Sequence, residues 1–188
     1  YDNAPSDVNF LESAPEFIFC CIGSGWAGGA NNIYLNPLFA DAGAGDLRLR
    51  WNSPCVDSGS NEPNGGLPAF DIYGKNRSQD GNLDESSEVD IGAYEYSPVI
   101  VPDSYPTIQA AIDASMYGEP VIVSDGIYTG SGNVALDLRG KAITVRSRKG
   151  PAGCIIDCQG LERGFYFHSG EDSNSVVDGF TIINGYDG

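Results

Sequence analysis

The sequence feature that most constrains the fold is a series of short β-rich runs, punctuated by glycine, in the second half of the chain. The runs are VIVSDG at 121, ALDLRG at 135, ITVRSR at 143, IIDCQG at 155, FYFHSG at 165 and VVDGFT at 176. Alignment places Val121, Ile143 and Phe165 in one column, with 22 residues between successive members. Repeats of this length are typical of solenoids, whose stacked coils bury a face that no single coil can bury alone.

A second column supports the same repeat length. It contains Leu136-Asp137, Ile156-Asp157 and Val177-Asp178, at spacings of 20 and 21 residues. Alternation within strands then assigns side chains to opposite faces. The side chains predicted to face the core are Leu136, Leu138, Ile143, Val145, Ile156, Cys158, Phe165 and Phe167. Those predicted to face outward are Asp137, Asp157, Arg146 and Tyr166.

One segment predicts a helix before the first run. PTIQAAIDAS begins with Pro106, which suits a first helical turn, and Gly118 follows as a stop. The spacing places four side chains on one face, namely Ile108, Ala111, Ile112 and Ser115. The composition, with 25 glycines and many β-rich runs, favours an all-β solenoid with this one helix. The alternative is an ordinary α/β domain with one crossover helix.

Residues 99–188 resemble a known class of protein. The strings YPTIQAAIDAS, GEPVIVSDGIYTG, GKAITVRSRKGPAGCIIDCQG and DGFTIING are similar to the start of right-handed parallel β-helix proteins of the pectate-lyase-like class. The resemblance implies that the short helix caps the N-terminal end of the coil stack. It also implies that further coils follow residue 188.

Residues 18–96 resemble the closing segment of bacterial secreted β-helix proteins, in what are called choice-of-anchor domains. The matching residues are Cys21, Gly25, Trp26, Gly28, Asn36 to Phe39 and Ser53 to Gly59, followed by Asp71, Gly74, Arg77, Asp90, Ile91, Gly92, Ala93, Tyr94 and Glu95. We therefore predict a loop-rich β tail or cap domain at residues 1–98. Residues 99–188 are expected to form the cap helix and first coils of a β-helix.

The charge balance narrows the classes of partner. The chain has 26 acidic and 10 basic residues, for a net charge of −16. Nucleic acids and anionic membranes require basic patches, so neither is an expected partner. No run of about 18 apolar residues is present, which predicts no membrane span. The start, YDNAPSDVNF, lacks the charged and apolar regions of a signal peptide, so we expect a mature or internal fragment.

One acidic segment is a candidate calcium site. DGNLDESSEVD supplies oxygen ligands at spacings like the start of an EF-hand-type loop. The match is incomplete, because position six is Glu85 rather than glycine and position twelve is Ile91 rather than glutamate. A solvated acidic turn is the alternative. The candidate ligands for Ca²⁺ are Asp80, Asn82, Asp84, Glu88 and Asp90.

The sequence contains no complete catalytic constellation. His168 is the only histidine and lacks a nucleophile motif such as Gly-x-Ser-x-Gly, so we interpret it as a turn residue. Asp137, Asp157 and Asp178 suggest a row of carboxylates that binds calcium or cleaves polysaccharide. The resembling enzymes place their catalytic groups on middle coils that this chain lacks, so turn chemistry is the preferred interpretation of the row.

The five cysteines are too scattered for a disulfide-scaffolded miniprotein. Cys154 and Cys158 are expected to stay unpaired and buried, since four residues of extended strand separate their Cα atoms by about 13 Å. If any bridge forms, it joins Cys55 to Cys20 or Cys21.

We therefore expect a structural, non-enzymatic β-solenoid module of an extracellular or cell-surface protein. Its expected partners are further coils of the same protein or a second copy, joined head-to-tail into a filament. The alternative is a fragment of a polysaccharide-active enzyme, for which polysaccharide is the partner.

Overall fold

Parallel strands dominate the second half of the chain. The structure is a computed structural model that describes residues 16–22, 29–116 and 118–186. It divides into two compact units, Tyr1–Ser97 and Pro98–Gly188. Three residues quoted for the resemblance, Gly25, Trp26 and Gly28, lie outside the described residues.

The unit from Pro98 onward is a parallel β-solenoid, as predicted. One sheet has the order β3 (Val99–Val101), β4 (Val121–Val123), β6 (Thr144–Ser147), β8 (Val176–Asp178). A second sheet has the order β5 (Gly126–Tyr128), β7 (Cys154–Asp157), β9 (Thr181–Ile183). Every pairing in both sheets is parallel. A third side is marked by a single parallel bridge between Leu136 and Phe165.

The predicted columns are wrong in register. Val121 pairs with Val145 rather than Ile143, and Phe165 belongs to the third side of the coil. The second column fails in the same way, because Leu136, Ile156 and Val177 lie on three different sides. The equal spacings had therefore joined Val121 to a position two residues out of register on the same side, and had joined different sides of the solenoid at the other steps.

The alternation of faces is largely confirmed. Six of the eight predicted core residues are buried: Leu136, Leu138, Ile143, Val145, Ile156 and Cys158. Phe165 is half-buried and packs against this core, but Phe167 is 52% exposed, so its assignment is wrong. Asp137, predicted to face outward, is buried. The row of aspartates does not form, because Asp137, Asp157 and Asp178 lie on different sides of the coil.

The predicted helix, α1, spans Ile108–Ala114 and is confirmed with a shifted start. Thr107, not Pro106, precedes the first turn, and its hydroxyl accepts a hydrogen bond from the N–H of Ala110 at 3.2 Å. The apolar face enters the core through the side chains of Ile108, Ala111 and Ile112.

Both ends of α1 are held by a later segment, residues 132–141. At the start, the Ile108 N–H donates to the side chain of Asn133 at 3.1 Å. In the first turn, the Gln109 side chain exchanges two hydrogen bonds with the backbone of Asp137, at 2.9 Å each. At the end, the Lys141 ammonium donates to three carbonyl oxygens, those of Ile112, Asp113 and Ser115. A cation here also complements the negative end of the helix dipole.

The unit that ends at Ser97 is loop-rich. Its strands β1 (Phe39–Asp41) and β2 (Asp46–Leu49) pair antiparallel around a 3₁₀ turn at Ala42–Ala44. Two isolated parallel bridges, Ile18 with Ala30 and Cys21 with Ile33, precede them. Its small buried cluster consists of Leu49, Cys55, Val56 and Tyr96.

Candidate functional site

The last coil of the solenoid presents an open edge. Strands β8 and β9 stand at the ends of their sheets, so among the described residues each pairs on one side only. Tyr128, Ile156 and Ile182 are in register in successive coils, and their exposed fractions are 9%, 0% and 47%. The middle member is buried by a coil on each side. No coil covers the last member among the described residues, and its side chain is therefore about half exposed.

The open edge combines two kinds of unsatisfied surface. Val177 and Phe180 belong to the same coil as Ile182, and both pack against the core while only half-buried. An edge strand also presents unpaired backbone N–H and C=O groups, which direct the addition of another strand. This edge is therefore the candidate functional site, and its chemistry is strand pairing with apolar burial.

A buried ionic network lies in the other unit and consists of residues quoted for the choice-of-anchor resemblance. An Arg77 guanidinium nitrogen lies 3.2 Å from a Glu95 carboxylate oxygen, with both side chains largely buried. The Glu95 carboxylate also accepts the N–H of Asp90, and Asp71 accepts the N–H of Glu95 at 3.0 Å. Arg77 further donates to the carbonyl of Gly92 at 2.9 Å. These contacts tie segments 71–77 and 90–95 together.

Asp90 closes the same network. One of its oxygens accepts the N–H of Tyr96 at 2.6 Å, and the other accepts the N–H of Asp57 at 2.8 Å. Burial raises the pKa of Asp90 to about 6. Burial and the neighbouring Asp90 charge raise the pKa of Glu95 to about 7. Both carboxylates thus accept hydrogen bonds from backbone N–H groups in an environment that disfavours their charged forms.

Asp71 behaves differently from its neighbours. Burial acts to raise the pKa of Asp71, but hydrogen bonds from the N–H groups of Glu95, Lys75 and Tyr73 outweigh it. The pKa therefore lies below its ordinary value, and the charged form is the stable one.

The structure does not bring all five predicted calcium ligands together. Asp80, Asn82 and Asp84 share one exposed turn, in which Asp80 accepts the N–H of Asp84 at 3.0 Å and Asn82 accepts the same N–H at 2.9 Å. Glu88 is exposed and forms a bridge with Gln79, whereas Asp90 belongs to the buried network. In the described ranges, no group of three or more His, Cys, Asp or Glu side chains is placed to hold a metal. Calcium binding stays a prediction.

His168 has neighbours that sequence analysis missed. The Ser169 hydroxyl lies 3.3 Å from Nδ1 of His168 and 3.1 Å from the Asp137 carboxylate, which is itself 3.6 Å from Nε2 of His168. The serine therefore reaches the carboxylate directly, whereas in a relay triad the imidazole stands between them. The missed signal is the adjacent His-Ser pair, whose shared carboxylate belongs to the preceding coil. The cluster links two coils.

All five cysteines are free thiols. Cys154 and Cys158 are both buried in the solenoid core, as predicted. Burial raises the pKa of Cys154 to about 11, so this thiol stays protonated and acts as a small apolar side chain.

Comparison with known proteins gives no match: no protein-family model matches the chain, and neither do curated proteins or solved structures. Within the described ranges, no helix is long and apolar enough to cross a bilayer.

Proposed function

We propose that the chain is a structural, non-enzymatic β-solenoid module of an extracellular or cell-surface protein, and that its open edge accepts a further strand. One observation carries the proposal, namely the 47% exposure of Ile182 in a column whose middle member is fully buried. The strand that covers it belongs to further coils of the same polypeptide or to a second copy joined head-to-tail. The extracellular location rests on the sequence resemblance.

Magnitudes distinguish these two sources of the strand. Burying the exposed parts of Val177, Phe180 and Ile182 contributes about 2–4 kcal/mol. Association of separate molecules costs about 4–15 kcal/mol in lost freedom, whereas coils of the same polypeptide avoid most of that cost. Filaments of separate copies are therefore expected only at high protein concentration.

Sedimentation velocity and electron microscopy across a concentration series test self-association. We expect oligomers or fibres at high concentration, and their loss in Ile182→Arg. Leu161→Arg is the matched control, because Leu161 is 73% exposed but lies in a turn outside the strands. Equal assembly by both variants would contradict a role for this edge.

A monomer at every concentration would eliminate the filament. The intact mass of the native polypeptide then tests whether the strand comes from further coils of the same chain. A mass above that of the 188-residue chain supports further coils. A native mass equal to that of this chain, with no assembly, refutes the open edge as a joining site. Uronate release from pectin or alginate above background would refute the non-enzymatic proposal.

A further inference from the structure

Two cysteines of the first unit meet in one small apolar cluster. Cys55 is 1% exposed and belongs to the cluster with Leu49, Val56 and Tyr96. Cys21 is half-buried and packs against that cluster. The two thiols are near enough that each influences the pKa of the other. Two thiols that share one cluster can be joined without a large movement of the backbone.

The structure distinguishes Cys21 from its neighbour Cys20. Successive residues of an extended segment point to opposite faces. The Cys20 thiol donates to the carbonyl of Ile18, whereas the Cys21 thiol donates to the carbonyl of Leu35, both at 3.3 Å. Only Cys21 packs against the cluster that contains Cys55.

Both thiols sit on backbone that is fixed by other contacts. Cys21 forms a parallel bridge with Ile33, and the flanking amide of Ile22 donates to the Ile33 carbonyl at 2.9 Å. The Cys55 N–H donates to the Ser53 hydroxyl at 3.1 Å, and the Cys55 carbonyl accepts the N–H of Ile91 at 2.9 Å. Fixed, adjacent partners give the second thiol a high effective concentration near the first.

We propose that Cys21 and Cys55 are a disulfide-forming pair, oxidised by a small-molecule disulfide such as glutathione disulfide. In the first step, the Cys21 thiolate attacks one sulfur of the oxidant, which forms a mixed disulfide and releases one glutathione thiol. In the second step, the Cys55 thiolate attacks the Cys21 sulfur and releases the second glutathione thiol. Two protein thiols are oxidised and one disulfide is reduced, so the exchange balances.

The order of the two steps follows from access. Burial raises the pKa of Cys21, and burial together with the neighbouring Cys21 thiol raises the pKa of Cys55 to about 12. The half-buried Cys21 thiol is the one that an oxidant in solution can reach. Because the attacking species is the thiolate, the rate of closure rises with pH across the neutral and mildly alkaline range.

The bond closes a loop of 35 residues, from 21 to 55. A loop of this size is expected to raise the thermal midpoint of the unit by about 15–30 °C when the bond forms without strain. Both tryptophans of the sequence, Trp26 and Trp51, precede Ser97, so tryptophan fluorescence reports the unfolding of the first unit selectively.

The test equilibrates the full chain in a glutathione redox buffer, alkylates the remaining thiols in denaturant and maps non-reduced peptides. We expect two of five thiols to disappear, a Cys21–Cys55 linked peptide, and a fall of about 15–30 °C in the fluorescence midpoint on adding reductant. Cys20→Ser is the matched control and keeps all three results. Cys21→Ser is expected to lose the linked peptide and the sensitivity to reductant.

A linked peptide that joins Cys55 to Cys20 would overturn the assignment. So would five free thiols in a chain that tryptophan fluorescence shows to be folded under the oxidising buffer. The peptide map of the unmutated chain decides the matter even where a serine variant fails to fold.

Discussion

Titration of Glu95 is expected to control how the stability of the first unit depends on pH. The pKa of Glu95 is about 7 in the folded chain, against 4.5 for an ordinary glutamate, because burial and the Asp90 charge oppose ionisation. The folded state therefore binds this proton more tightly than the unfolded state. Protonated Glu95 therefore stabilises the folded state fully below about pH 4.5, and this stabilisation is lost as the pH rises through about 7.

The size of the effect follows from the two pKa values. Each unit of difference corresponds to about 1.4 kcal/mol, so Glu95 contributes about 3 kcal/mol at pH 5 that is absent at pH 8. Asp90 acts in the same direction, since its pKa is raised to about 6. Asp71 acts oppositely, because its pKa is lowered and its contribution is lost only in more acidic solution. Stability is thus expected to peak near pH 5.

Urea unfolding followed by tryptophan fluorescence measures this change. At a slope of about 2 kcal/mol per molar urea, the midpoint is expected to be about 1.5 M higher at pH 5 than at pH 8. Glu95→Gln removes the titrating group and should flatten the profile. Exposed Glu88→Gln is the control, because it changes the net charge equally and should leave the slope in place. A midpoint equal at both pH values, or higher at pH 8, would refute the reasoning.

Three further predictions concern packing and metal binding. Ile156→Ala should lower the free energy of unfolding of the solenoid by about 2–5 kcal/mol, because Ile156 is fully buried. Its half-buried neighbour is the control, and Ile155→Ala should cost less than about 1 kcal/mol. Amide hydrogen exchange measures both, and equal costs would contradict the assigned faces. Gly59→Ala should lower the free energy of unfolding of the first unit by about 1–3 kcal/mol, because the new methyl group would lie 2.6 Å from a Val89 methyl carbon. An unchanged fluorescence midpoint would contradict this clash. If residues 80–90 bind calcium, excess calcium should raise the fluorescence midpoint of the unmutated chain but not that of Asp84→Asn. A midpoint that does not change when a chelator is added would count against the calcium site.

Local rules predicted the faces of the solenoid but not its register. The inward positions of Ile143, Val145 and Ile156 follow from alternation, which depends only on neighbours in sequence. Register depends on the length of each coil, and along the first sheet successive equivalents lie at 99, 121, 145 and 177. The spacings of 22, 24 and 32 vary because surface turns tolerate insertions of any length. A search for equal spacing therefore selected Ile143, two residues out of register, in place of Val145, and then Phe165 on a different side.

The sites show the same limit. Arg77, Asp90 and Glu95 all belong to the motifs of the choice-of-anchor resemblance, but nothing in their spacing indicates that these residues contact one another. Their contact depends on how loops of 71–77 and 90–95 close, and loop closure follows no period. Asp137 was misassigned for a related reason: it is buried by contacts with Gln109 and Ser169, which lie 28 and 32 residues away. Such partners come from neighbouring coils and have no local signature.

The attachment of α1 determines the order in which this part of the chain can be completed. A seven-residue helix is too short to persist alone, and the groups that hold its two ends belong to residues 132–141. During synthesis, Ile108 leaves the ribosome well before Lys141, so the helix waits for about 30 further residues before its last carbonyls find their donor. The apolar face of the helix can pack on β3 and β4 earlier, because both strands precede residue 132. A nascent chain stalled before residue 132 should therefore leave the two ends of the helix frayed, and extension past Lys141 should protect them from amide hydrogen exchange.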